Sequence, residues 1–453
     1  MKIDFNSWLD EQEREDDEVL EALIEELASS SDEEEDKRPW GGSKKGKAPN
    51  KNRDFASAYA KLVKDYFNGA DSIYDERDFE LRYRMPRSVF SVIYDRINGQ
   101  GEFVEAKDCI GKPGIHPLVR ISACLRYLCY GCATDREDEN MRIGSSTLNK
   151  AVRDFCRLMI KEFGCVYLNR TPTEEEKKKI FAANEVEGFP GCLASWDCKH
   201  FVWHKCPMRW AGQYAGHAEG GKKTLILEAI ADLNRYIWYA NFGDAGALND
   251  INVLDKSSIV GALLDGSLDI TCPKYTINGR DRDWFYFLVD GIYPEWSIFV
   301  KTYSNPSDKK AATFAAKQEG RRKDVECAFG ILVKKFHILA RPLRNWYVGD
   351  IQNLLYTCVI LHNMVIAAKG GKDIILQESE AYEEVRSRKR SKRHCWPLFG
   401  GNGMTNDVLE LDNVDVFAAR VGMFSTKMQS AREHYKLKND LKEHIWNRYG
   451  GND

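Results

Sequence analysis

Residues Thr224–Phe242, TLILEAIADLNRYIWYANF, read as two strands joined by a tight turn. Thr224–Ala231 and Arg235–Phe242 are short and rich in β-branched or aromatic side chains, and Asp232-Leu233-Asn234 between them has hairpin chemistry. Upstream, Leu193–Trp203 (LASWDCKHFVW) predicts another strand. Downstream, Asp250–Leu264 predicts a helix and Trp284–Val289 (WFYFLV) a strand closed by Asp290-Gly291. Ser307–Leu339 and Ile351–Ala368 follow as helices. Three strands, a helix, a strand, then helices is an α/β order with a mixed sheet built on a hairpin.

Before this region, residues 54–187 carry a helical pattern. Phe55–Phe67 has helical spacing, Ser88–Ile97 follows Pro86, and Leu118–Tyr130 is apolar on one face. Ser145-Ser146-Thr147 offer N-cap chemistry to a helix over Ser145–Phe163. Two helices with a short polar link admit a helix-turn-helix or a plain bundle. The expected divisions are therefore an arm over 1–53, a helical domain over 54–187, an α/β domain over 188–370, and a polar tail over 371–453.

The net charge of −3 over 453 residues hides an asymmetry. Residues 1–36 hold 16 acids and two bases, Lys2 and Arg14, which leaves 64 bases and 53 acids, a net of +11, for the remainder. Residues 37–53 hold seven bases and no acid, a flexible basic linker. A basic folded part attracts polyanions. The N-terminus lacks the apolar core of a secretory signal, and 13 irregularly spaced cysteines fit reduced thiols. Leu354–Ala368, interrupted by His362 and Asn363, is shorter than the roughly 18–20 residues of a membrane span, so a buried helix and no membrane are expected.

The chemistry lies in where the acids fall. Asp197 sits inside the first apolar strand, Asp290 directly follows WFYFLV, and Glu326 lies on a helix with apolar Val325, Phe329, Leu332, Val333 and Phe336. Buried carboxylates are costly unless something positive compensates them. Three at element centres or ends suggest a shared hard cation, Mg²⁺ or Mn²⁺, and two such ions can clamp both oxygens of a phosphodiester displacement. Asp250 is a fourth candidate ligand. Against this stand plainer roles: Asp250 as a helix cap, Asp290 as a turn aspartate.

Five runs, WDCKHF, GDAGALNDINVL, LVDGIYPEW, FAAKQEGRRKDVECAFGILVKKFHIL and VILHNMV, carry a resemblance. Over roughly Gly191–Ala368 the chain resembles the PIF/Harbinger transposases, DDE superfamily endonucleases, and especially their plant transposon protein branch. The resemblance implies an RNase H-like core in which Asp197 ends the opening strand, Asp290 ends the fourth strand, and Glu326 stands on the late helix, these three being catalytic. Thirty-five residues separate Asp290 from Glu326, a spacing this class often shows. Asp197, Asp250, Asp290 and Glu326 would be the metal ligands. Where the family commonly has Gly-Ser-x-His-Asp and Asp-Gly-Thr-His, this chain has Gly246-Ala247-Leu248-Asn249-Asp250 and Asp197-Cys198-Lys199-His200. The implied activity is cut-and-paste DNA transposition, with two Mg²⁺ or Mn²⁺ ions, a homo-oligomer, and a separate Myb-like DNA-binding protein as partner. The alternative is a domesticated DNA- or protein-binding module without mobility.

Lys222, Lys223, Arg321, Arg322 and Lys323 are the bases expected at the DNA backbone. Arg386, Arg388, Lys389, Arg390, Lys392 and Arg393 form six bases in eight residues, an expected nuclear import signal. Cys198, His200, His204 and Cys206 share one face of a strand, but a continuous strand spreads them over about 27 Å, which argues against zinc. Cys129-Tyr130-Gly131-Cys132 lacks a second pair. Trp238, Tyr239, Trp284, Phe285 and Tyr286 read as sheet core rather than a base-stacking platform.

Overall fold

The computed structural model describes residues 51–370 and 426–450, apart from Asn52, Ile110, 217–219, 265–267 and Asp269. The acidic stretch 1–36, most of the basic linker and the Arg386–Arg393 cluster lie outside the described residues. Seven helices come first: α1 (Phe55–Leu62), α2 (Glu76–Tyr83), α3 (Arg87–Ile97), α4 (Pro117–Tyr130), α5 (Arg136–Met141), α6 (Ser145–Tyr167) and α7 (Glu174–Val186). Local chemistry sets their ends. Pro117 opens α4 and Gly131 closes it at φ 58°, while Thr173 and Glu176 form a reciprocal capping box on α7. α6 is not capped by its serines: Gly144 holds the N-cap position, and no side chain caps it. α5 stands between α4 and α6, so the two longer helices are not joined by a simple turn.

The sheet follows as β1 (Cys192–Val202), β2 (Thr224–Ala231) and β3 (Ile237–Ala245), then α8 (Asp250–Lys256) and α9 (Ser258–Leu264). A β4–β5 hairpin (Thr271–Ile277, Arg280–Trp284) leads to β6 (Tyr286–Val289) and β7 (Phe299–Lys301). The five-stranded order is β3-β2-β1-β6-β7, antiparallel across the first three and parallel across the last three. The single strand expected over Trp284–Val289 is divided. Trp284 pairs with Thr271 in the small hairpin and Tyr286 pairs with Cys192 in the main sheet, so the chain changes sheets at Phe285. The single helix expected over Asp250–Leu264 is likewise broken at Ser257. α10 (Lys309–Lys335), α11 (Val348–Lys369) and α12 (Ala431–Tyr449) complete the described chain.

One sheet face packs on α10 and α11, and the same apolar cluster runs on through Leu128, Phe155 and Met159 of α4 and α6. The helical region and the sheet therefore share a core. The opposite face carries Trp196, Ile230 and Tyr239 against Leu254, Ile259 and Leu263 of α8 and α9. The five aromatics read as sheet core are all buried.

α11 is long and apolar enough to cross a membrane, yet 78% of its most apolar window is buried inside the molecule. Several of its polar side chains bond to the backbone of the sheet edge and the residues beside it. β3 is an edge strand, and edge strands expose unpaired backbone groups. The Asn363 side chain donates to Ile237 O at 2.7 Å and accepts from Ile237 N at 3.0 Å. Asn169 does the same for Ala240, at 3.1 and 2.8 Å. Gln352 donates to Phe242 O while Phe242 N donates to the Tyr356 hydroxyl. The edge is thus closed by side chains, and His362, bonded to Arg235 O at 2.8 Å, adds another tie.

The C-terminal region is not uniformly a polar tail. α12 buries Leu437, Leu441 and Ile445 against Tyr286, Leu288, Val300 and Phe314. Those three apolar residues recur at helical spacing, which drives the helix onto the sheet's β7 side. Asp440 accepts from Arg282 at 2.7 Å in the buried contact, and from Arg280 at 2.7 Å nearer the surface.

Candidate active site

The parallel ladder between β1 and β6 pairs Ser195 with Leu288. Two residues further along each strand stand Asp197 and Asp290, which the ladder carries to neighbouring strands on the same face. Asp290 closes β6, and its Oδ1 accepts from Gly291 N at 2.7 Å, so one carboxylate oxygen does take the turn role. α10 lies across that face and brings Glu326 to it. The link is Arg322: its Nη1 is 3.1 Å from Asp197 Oδ2 and 2.9 Å from Glu326 Oε1. Glu326 and Asp197 therefore sit on the same side of the sheet and share one guanidinium.

Asp250 opens α8 but does not cap it. The cap is Asn249, whose side chain accepts from Asn252 N at 2.9 Å. The Asp250 carboxylate is left for other work. Burial pushes its pKa up, the His200 charge opposes this, the Asp290 charge adds to it, and a hydrogen bond with Cys198 opposes it. Asp197 is pushed up to about 6, chiefly by burial, with the Cys198 N–H and Arg322 opposing and the charges of Asp250 and Glu326 adding. All four acids of the sequence reading therefore bear on one locality.

Glu228 was missed. It is 1% exposed on β2, directly opposite Cys198. Its Oε1 accepts from Trp196 Nε1 at 3.0 Å and its Oε2 from Ser257 Oγ at 2.8 Å. Burial pushes this carboxyl up to about 8, against the Ser257 and Trp196 bonds. It ties β1, one residue before Asp197, to the break between α8 and α9. The signal was present in TLILEAIA, where one acid stands in an otherwise apolar strand. Tyr293 backs the same spot, with its hydroxyl 3.7 Å from Cys198 Sγ.

The bases expected at DNA divide. Arg322 faces inward to the acids, and Arg321 pairs with Asp324 at 3.2 Å, so both guanidiniums are engaged by carboxylates rather than displayed. This engagement follows from the acids that α10 meets, Asp197 on the sheet and Asp324 and Glu326 on the helix itself. Lys222 and Lys323 are exposed, and Lys223 is half-buried. Among the discounted thiols and imidazoles, His200 Nδ1 is 2.9 Å from Thr224 Oγ1 and Cys129 donates to Tyr83 O at 3.3 Å.

Among the described residues no three carboxylate, imidazole or thiol groups stand close enough to hold a metal ion as placed. The position between Asp197 and Glu326 is taken by Arg322. The donor chemistry nevertheless fits a hard divalent cation. The ligands would be carboxylate oxygens, and burial, with smaller contributions from the charges of Asp250 and Glu326, raises the Asp197 pKa despite the nearby guanidinium.

Residues 165–373 match the family described as plant transposon protein, and residues 59–98 match a domain of unknown function. No curated protein and no solved structure matches the chain. The first match begins late in α6 and runs through β1–β7 to the end of α11, so it contains Asp197, Asp250, Asp290 and Glu326 together. That match supports a transposase-related protein of the PIF/Harbinger-like plant branch.

Proposed function

We propose that this chain is a metal-dependent DNA endonuclease and strand transferase that cuts a transposon's ends and joins the freed 3′-hydroxyl to target DNA. The observation that carries the reading is the convergence of acids from three separate elements: Asp197 and Asp290 in adjacent parallel strands, and Glu326 joined to Asp197 through Arg322. The strand order, with a helix laid across the face bearing the acids, supports an RNase H-like core. Asp197, Asp290 and Glu326 would hold the Mg²⁺ or Mn²⁺ ions, with Asp250 beside them. A bound divalent cation lowers the pKa of an attacking water and offsets charge at the phosphate.

The chain's own residues orient and neutralise. Arg322 balances two carboxylates when no cation is present. Glu228 and Ser257 fix α8, and so Asp250, relative to β1. Hydrolysis and joining are both in-line displacements at phosphorus, so one carboxylate site can serve both. A nuclear location, import through Arg386–Arg393, assembly as a homo-oligomer and a Myb-like DNA-binding partner belong to the same proposal.

The test is cleavage of duplex DNA carrying the element's terminal inverted repeats, with Mg²⁺ or Mn²⁺. The wild-type chain nicks at the repeat ends, and Asp197→Asn and Glu326→Gln do not. Binding of the repeats with no nick by the wild type would instead make this a binding module.

A further inference from the structure

Between β1 and β2 the chain leaves the sheet. Residues 204–216 run outward, and Gly220–Lys223 return to β2. Trp203, fully buried, anchors the base of this excursion. Its ring centroid is 5.0 Å from that of Tyr214 and 6.3 Å from that of Trp210. Its Nε1 donates to Asn345 O at 2.9 Å, and Leu343 N donates to Val202 O at 2.8 Å. The segment before α11 is therefore pinned beside the excursion. The far side meets the candidate active site: Ala247 N, three residues before Asp250, donates to Gln213 O at 3.2 Å.

This junction exposes large apolar side chains. Met208 is 76% exposed, Trp210 41%, Trp346 40% and Tyr347 65%. Isolated exposed apolar residues are ordinary, but these four come from two segments that both meet Trp203, through its ring at Trp210 and through its Nε1 at Asn345 O, and exposed apolar groups gathered in this way mark binding surfaces. The two segments that form this junction are rich in bases. From Lys199 to Leu227 the sequence has five bases and one acid, Glu219, and from Cys327 to Gly349 it has four bases and no acid. Arg209, Lys222, Arg341 and Arg344 are exposed.

We infer that Trp210 and Tyr347 form a stacking platform for unpaired DNA bases beside the candidate active site, with Arg209, Arg344, Lys222 and Lys223 along its backbone. Aromatic rings stack on every base, and cations beside them take phosphates, so such a surface binds single strands with little sequence preference. A duplex hides its base faces and gains less from the rings. An acidic protein partner would use the same bases but would not need exposed rings in this number. The inference rests on the DNA reading above. It supplies what that reading lacked, a place where strands opened at a cut end are held.

The experiment uses the full chain and fluorescence anisotropy with labelled single-stranded, forked and fully duplex oligonucleotides of the same sequence at fixed salt. Trp210→Ala/Tyr347→Ala, whose rings are exposed, is first shown to melt as the wild type does. It should lose roughly tenfold affinity for the single strand and the fork per stacked ring, with little change for the duplex. Lys222→Ala/Lys223→Ala should lower the single-strand salt slope by about 1.4. Unchanged single-strand affinity in the ring variant overturns the platform, as does an equal loss on the duplex. An absence of single-strand binding by the wild type overturns it in favour of a protein partner. Metal-dependent nicking of the forked oligonucleotide is scored in parallel. Ring-dependent binding without any nicking leaves the platform standing and removes the nuclease reading.

Discussion

At the residue scale, the site is organised around an arginine between acids. Arg322 reaches Asp197 and Glu326 with the same nitrogen. The i,i+4 spacing on α10 made its pairing with Glu326 foreseeable. Its pairing with Asp197, 125 residues away, was not, since it depends on how α10 crosses β1. Arg322→Gln leaves two carboxylates facing each other without a counter-charge. The metal-free variant should melt below the wild type, and Mn²⁺ should raise its melting temperature by more than it raises that of the wild type. An equal Mn²⁺ shift, read by differential scanning fluorimetry, would mean that Arg322 and the cation do not compete for one place.

At the element scale, Glu228 couples β2 to the break after α8. A carboxyl whose pKa is raised in the fold, here to about 8, stabilises the fold at low pH. That contribution is lost as pH rises from its ordinary value through about 8. Glu228→Gln keeps an acceptor for Trp196 and a group that bonds Ser257, and it cannot ionise. Melting curves from pH 6 to 9 should therefore show the wild type losing stability relative to Glu228→Gln as pH rises. Parallel curves would show that Glu228 does not change charge in this range. The strand and helix texture around this residue was legible: Thr224–Ala231 is a strand with the bounds read from sequence, and β1 and β3 differ from their expected spans by one to three residues. The exchange of sheets at Phe285 was not, because WFYFLV is uniformly apolar and carries no turn residue at the break.

At the scale of the whole molecule, the chain closes on itself through α12. Composition after Gly370 gave no hint of this, since only Leu437, Leu441 and Ile445 among charged neighbours mark the apolar stripe. Asp440→Ala leaves buried Arg282 unpartnered and should cost about 3–5 kcal/mol, measured by urea unfolding. A loss below about 1 kcal/mol, the range of surface pairs, would mean that α12 is only loosely held. Asp197, Asp290 and Glu326 stand out in the sequence because each lies at a strand end or within an apolar run, where a charge needs a reason. The pairing of Arg321 with Asp324 and of Arg322 with Asp197 and Glu326 was not legible as a whole, because sequence does not show which bases a fold turns inward.

On the proposed function, Asp197, Asp290 and Glu326 form one cation site although they come from three separate elements. Calorimetric titration of Mn²⁺ into the wild-type chain and into Asp290→Asn tests this, because the β1–β6 ladder rather than the Arg322 bridge carries Asp290 beside Asp197. The wild type should bind Mn²⁺, and Asp290→Asn should bind it at least about tenfold more weakly while melting unchanged, since a metal ligand has been removed. Equal affinity in the two proteins, or no uptake by the wild type, would contradict it.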